Sequence, residues 1–205
     1  MNNIFLTSQA SEVLERIVSL LPKKPGELKV VFIPTAANPY SSAPWLEKDR
    51  TMLISLGFAI EDLDLEDVSE EIIGTAIDSS DIIFVGGGNT FYLLEHAKKS
   101  GFIDIVREAV SKGKIYIGSS AGSVLAAPDI KYVEFFDEPA VANLSNTLAL
   151  GIVNFRPLPH YGNPKYADLN RKTLERHQSE ESPIVFFRDN EFLLRNGDLQ
   201  GAGAS

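Results

Sequence analysis

The chain has 205 residues, 44% of them hydrophobic and 23% charged, which suits one domain large enough to bury a sizeable core. A formal net charge of −9, with no basic cluster longer than Lys23-Lys24 or Lys98-Lys99, argues against a nucleic-acid partner. The absence of cysteine excludes disulfides and thiolate chemistry, and no apolar run is long enough for a bilayer span. The opening Met-Asn-Asn-Ile-Phe-Leu-Thr lacks a basic, then apolar, export pattern, so the expected setting is cytoplasmic.

Asn3 to Thr7 reads as a first strand, followed by a helix capped at Ser11 with Val13, Ile17, Leu20 and Leu21 on one face. Leu28 to Ile33 is the near-continuous apolar run of a strand buried on both faces, and Thr35 to Ala43 reads as a loop at its carboxyl end. Trp45 to Leu56 is helical until Gly57 stops it. Ala59 to Leu65 predicts a strand and Val68 to Ala76 a short helix. The acids between them (Glu61, Asp62, Asp64, Glu66, Asp67) lack the glycine and spacing of a calcium loop.

Asp81 to Val85 is the next buried strand, and it runs into Gly86-Gly87-Gly88-Asn89-Thr90. Helices are predicted over Thr90 to Lys99 and Phe102 to Lys112. A short strand, Ile115 to Ile117, then feeds Gly118-Ser119-Ser120-Ala121-Gly122 and a helix from Ala121. Asp129 to Asn146 has little periodicity and reads as a long loop. Leu150 to Leu158 predicts a strand that closes on Pro159-His160-Tyr161-Gly162-Asn163-Pro164, and Ala167 to His177 a charged helix. Ile184 to Phe187 and Glu191 to Leu194 predict a hairpin turned at Asp189-Asn190. Alternating strands and helices, with strands apolar throughout, give an α/β fold: a mainly parallel sheet with helices on both faces, in a single domain over 1–205. Ligands in such folds bind outside the carboxyl ends of the strands, where Thr35, Gly86 to Asn89, Ser120 and His160 all fall.

Gly118, Ser120 and Gly122 spell G-x-S-x-G between strand and helix, a turn that presents a serine hydroxyl at the top of a sheet. A close-packed strand-to-helix turn would use the same small residues. A serine nucleophile needs a base, and there are three histidines. His96 and His177 sit in last turns of helices, where a cation suits the dipole, which leaves His160 as the base the serine can use, with a capping or loop-pinning histidine as the other reading. The run Gly86-Gly87-Gly88 has three readings: an oxyanion hole in which the Gly88 N–H complements that of Ala121, an anion site at the Thr90 helix start, or a close-packed turn. No histidine pair has metal spacing, and no cofactor is implied.

With these pieces in order, the chain resembles the peptidase E (aspartyl dipeptidase) family of serine peptidases, whose fold is similar to class I glutamine amidotransferases, a three-layer sandwich. The resemblance rests on Val85-Gly86-Gly87-Gly88-Asn89-Thr90-Phe91, Gly118-Ser119-Ser120-Ala121-Gly122 and Pro159-His160-Tyr161. It implies hydrolysis of small peptides, with N-terminal Asp dipeptides as substrates. Ser120 is then the nucleophile, His160 the base, and Gly88 with Ala121 the oxyanion hole. Asn89 and Arg171 become candidate substrate-binding residues, Arg171 at a position the family uses for the substrate's aspartate. The third member of the triad should be an acid that orients the imidazole; Asp189 and Asp137 are the candidates, and Asn190 in that place would leave the imidazolium without its charge partner. The chain lacks the C-terminal extension common in the family. A non-catalytic small-molecule-binding homologue with an incomplete triad is the alternative, and a hydrolase of a cyanophycin-type polymer a third. No nucleic acid or membrane partner is expected, and the oligomeric state is monomer or homodimer.

Overall fold

A computed structural model of the protein describes residues 3–177, 182–195 and 199–200. Its strands are β1 (Ile4–Thr7), β2 (Lys29–Ile33), β3 (Ala59–Asp62), β4 (Ile82–Val85), β5 (Ile115–Ser119), β6 (Arg156–Leu158), β7 (Ile184–Phe186), β8 (Phe192–Leu194) and β9 (Leu199–Gln200). The helices are α1 (Leu14–Val18), α2 (Pro44–Ser55), α3 (Glu70–Asp78), α4 (Thr90–Lys99), α5 (Phe102–Ser111), α6 (Ala121–Leu125) and α7 (Ala167–His177). The main sheet runs β3-β2-β4-β5-β1-β8-β9, parallel from β3 through β1 and antiparallel thereafter.

The apolar strands divide residue by residue between two cores, because successive side chains of a strand point to opposite faces. Ile4, Leu6, Val31, Ile33, Ile83, Val85 and Tyr116 pack under α3, α4, α5 and α6. Phe5, Val30, Phe32, Ile82, Phe84, Ile115 and Ile117 pack under α1 and α2 on the other side. Phe32 and Phe84, register partners on β2 and β4, stack at 5.0 Å. This is the expected mainly parallel sheet with a helical layer on each face.

Three local expectations are corrected. The two last apolar runs do not form a hairpin: β7 lies parallel to β6 in a separate two-stranded sheet, while β8 pairs with β1. The turn at Asp189-Asn190 therefore carries the chain from one sheet to the other. Only Arg156–Leu158 of the predicted 150–158 strand is extended in a sheet. Ser11 caps nothing: it lies in the 3-10 turn Ala10–Glu12, and its N–H donates to Asp49 Oδ1 at 2.8 Å, so α1 starts only at Leu14.

Candidate active site

The carboxyl ends of β1, β4 and β5 converge, and the turn after β5 holds Ser120. Small residues are obligatory there. A Cβ on Gly118 would lie 2.6 Å from the Gly122 carbonyl, and one on Gly122 would lie 2.1 Å from the Val85 oxygen. Ser120 has φ 49°, a conformation costly for a residue with a side chain, and one that turns its hydroxyl out of the sheet. Its neighbours hold it there. The Ser120 N–H donates to Thr7 O at 2.8 Å, Thr7 N–H donates to Ser123 Oγ at 2.8 Å, and Thr7 Oγ1 donates to Gly118 O at 2.9 Å.

His160 follows β6 by two residues and has φ 62°. Its N–H donates to Ser8 Oγ at 3.0 Å, and its ring stacks on Tyr166 at 4.9 Å between centroids. The imidazole Nε2 lies 3.0 Å from Ser120 Oγ, and Nδ1 lies 2.6 Å from Asp189 Oδ1. Asp189 Oδ2 accepts from Asn163 Nδ2 at 3.0 Å. The His160 hydrogen bond, helped by Asn163 and opposed by partial burial, holds the Asp189 carboxyl below the usual aspartate range. It is therefore a carboxylate near neutral pH, able to fix the imidazole tautomer with its proton on Nδ1.

Gly88 packs against the loop after β2. A Cβ on it would sit 2.0 Å from Ala36 O, and its φ of 151° also favours glycine. Its backbone lines the same cavity as Ser120, His160 and Ala121, a cavity of about 750 Å³. Ala121 opens α6, where a helix leaves N–H groups without intrahelical acceptors. Two unengaged amides thus flank the serine among the described residues.

The remaining candidates lie elsewhere. Asn190 is exposed and contributes its carbonyl, which accepts from the Arg16 guanidinium, so it is not the imidazole's partner. Asp137 lines the cavity, but its Oδ2 accepts the Thr90 N–H at 2.8 Å, at the start of α4. Burial pushes its carboxyl above the usual range. Asn89 is buried as the cap of α4, accepting from Tyr92 N–H at 2.9 Å and donating to Glu138 O at 3.1 Å, and it does not line the cavity. Arg171 is exposed on α7, engaged by Asp168 at 2.6 Å and Glu175 at 2.8 Å, also away from the cavity wall. The wall carries instead Lys165, whose ammonium lies over the Tyr166 ring. His177 is buried against Glu134 and the His96 ring packs tilted against Tyr92, so neither reaches Ser120. Ser8 and Asn163 escaped the sequence reading because their contacts, to His160 and Asp189, join segments far apart in the chain, and Tyr166, six residues after His160, carries no local signal of its stacking. Among the described residues, no group of three His, Asp or Glu is arranged to hold a metal ion.

An α/β sandwich with a serine, an imidazole and a carboxylate in line above its parallel strands is the architecture of a hydrolase. The model of peptidase family S51 matches residues 4–200, and the chain belongs to that family. It is a peptidase of the serine class. It is 35% identical over 203 residues to an uncharacterised peptidase of Listeria monocytogenes, covering 95% of this chain and 98% of that one. It is 33% identical over 175 residues to a peptidase E of Nostoc, covering 85% of this chain and 65% of the longer relative. A 1.5 Å crystal structure of a Listeria monocytogenes protein assigned to peptidase E superposes with a TM-score of 0.90 at 34% identity, over the whole of both chains.

Proposed function

We propose that the protein hydrolyses short peptides through an acyl-enzyme formed on Ser120. The observation that carries the reading is the unbroken hydrogen-bonded line Ser120 Oγ–His160 Nε2 and His160 Nδ1–Asp189 Oδ1, at 3.0 and 2.6 Å. His160 takes the hydroxyl proton as Ser120 Oγ attacks the scissile carbonyl. Asp189 stabilises the imidazolium that results. The Gly88 and Ala121 N–H groups receive the negative charge that develops on the carbonyl oxygen. His160 then gives its proton to the leaving amine, and water, activated by the same imidazole, releases the acyl group.

The cavity falls within the usual size of small-ligand sites, which favours a dipeptide or tripeptide over a folded protein. A preference for N-terminal Asp is part of the proposal, and Lys165 rather than Arg171 is the cation that lines the cavity to meet an acidic side chain. The cysteine-free composition fits a cytoplasmic setting. The alternative of a non-catalytic binding homologue drew on a doubtful third member and the missing C-terminal extension; the Asp189–His160 hydrogen bond favours the catalytic reading over it.

The test is mass spectrometry after treatment with a fluorophosphonate. One adduct on Ser120, absent from Ser120→Ala, is the expected result, together with turnover of a dipeptide such as Asp-Leu that the variant loses. Undiminished peptidase activity in Ser120→Ala would refute the mechanism.

A further inference from the structure

We infer that Asp49, buried on α2 and outside the Ser–His–Asp line, is the positioning residue that holds the nucleophile and the base in register with each other. The inference rests on the reading of Ser120 as nucleophile. Asp49 has no exposure to solvent, and its carboxylate joins the end of β5, which carries the nucleophile, to the loop after β1, on which the backbone of the base is hydrogen-bonded. Its Oδ2 accepts from the hydroxyl of Ser119, the residue immediately before the nucleophile, at 2.7 Å. Its Oδ1 accepts from Ser11 N–H and from Gln9 Nε2, both at 2.8 Å. Ser119 Oγ in turn accepts from Ala10 N–H at 3.2 Å, so the loop after β1 is tied to the end of β5 through one carboxylate and one hydroxyl.

That loop is also what the catalytic groups lean on. Thr7 O holds the Ser120 N–H, and Ser8 Oγ holds the His160 N–H. The two non-glycine residues of the site with positive φ, Ser120 and His160, are thus both anchored on Thr7-Ser8, and Asp49 fixes the segment directly after them. Strained conformations persist only where the surroundings over-determine them. A misplacement of about 1 Å between Oγ and Nε2 is enough to slow proton transfer, because the bond must stay within hydrogen-bonding reach. Burial pushes the Asp49 carboxyl above the usual range, opposed by the hydrogen bonds from Ser119, Ser11 and Gln9. A charge kept in so unfavourable a place adds little to stability by itself, since a buried ion has lost its hydration.

The experiment compares Asp49→Asn, Ser119→Ala and the double variant with the wild type, reading melting temperature and the kinetics of fluorophosphonate labelling. Labelling separates reversible binding, KI, from the rate of bond formation, kinact. Asp49→Asn keeps the shape and two acceptor lone pairs but leaves the Ser119 hydroxyl without its carboxylate. The expected result is kinact lowered 10- to 100-fold in each single variant, KI within about twofold of wild type, and a melting temperature equal or higher in Asp49→Asn. The double variant should be no slower than the slower single one, because both changes cut the same link. Wild-type kinact in both single variants, or a loss confined to melting temperature or KI, overturns the positioning role. Should Asp49→Asn fail to fold, Ser119→Ala alone decides between the same outcomes. Wild-type protein that takes no label at Ser120 overturns the nucleophile reading, and this inference with it, whereas a labelled wild type and an equally fast Asp49→Asn overturn only this one.

Discussion

The two halves of the site are held by different kinds of force. On the nucleophile side, Ser120 leaves the central strand β5, flanked by β1 and β4, on a turn where both glycines touch backbone. The path of that turn follows from main-chain packing, with Asp49 holding its Ser119 hydroxyl. On the base side, His160 and Asp189 ride on turns beside the small β6–β7 sheet, and Asp189 has a side chain 37% exposed. The Ser8 hydroxyl oxygen accepting the His160 N–H, the Asn163 amide donating to Asp189 and a stacked Tyr166 locate them. A side chain added at either glycine of the first side should therefore damage the fold, whereas substitutions on the second should damage the chemistry alone.

The sharpest probe of that contrast is Asp189→Asn. The amide keeps the shape of the turn but favours the wrong imidazole tautomer, so kcat for any dipeptide the wild type cleaves should fall by about 10⁴-fold with melting temperature nearly unchanged. Asn190→Ala, one residue on, should leave kcat intact; equal losses at both positions would place the acid elsewhere. On the nucleophile side, Gly122→Ala should cost about 3 kcal/mol or more in urea unfolding, because the new methyl meets the Val85 oxygen at 2.1 Å and neither backbone can yield. A stable, inactive Gly122→Ala protein would erase the distinction between the two halves. The smallest effect is expected from Ser8→Ala, which removes the acceptor of the His160 N–H. About 1 kcal/mol of lost positioning corresponds to a roughly fivefold lower kcat, read from steady-state rates at unchanged KM.

The same contrast explains what could be read in the sequence. Each parallel strand appeared as an apolar run because both its faces are buried, and the elbow glycines were legible because sterics demand them within five residues. His160 could be reached by elimination among three histidines. The acid could not. Asp189 and Asn190 are neighbours in a turn, and which one faces the ring depends on β7 and β8 diverging to different sheets, a long-range outcome with no local signature. The mistaken hairpin has the same origin: two short apolar runs around a turn favour pairing, but β1 and β6 offered each run another partner. Asp49 had a signal that charge concealed. It stands in Glu47-Lys48-Asp49-Arg50, which looks like a solvated face, yet it is three residues after Leu46 and four before Leu53, on the stripe that α2 buries. Arg171 came only with the family resemblance, and on its helix it meets Asp168 and Glu175 first.

The pairing of β8 with β1, Phe5 opposite Leu194, has a consequence for the order in which the enzyme comes to life. A ribosome delivers the serine, then the imidazole, and the orienting acid almost thirty residues later, at about 5–20 residues per second. Until the strand after that acid has docked on the very first strand, the growing chain holds a hydroxyl and an imidazole with nothing to set the tautomer. Contacts that span so much of the chain are slow to form. On the proposed mechanism, the topology thus keeps the newborn chain quiet until the last part of its synthesis.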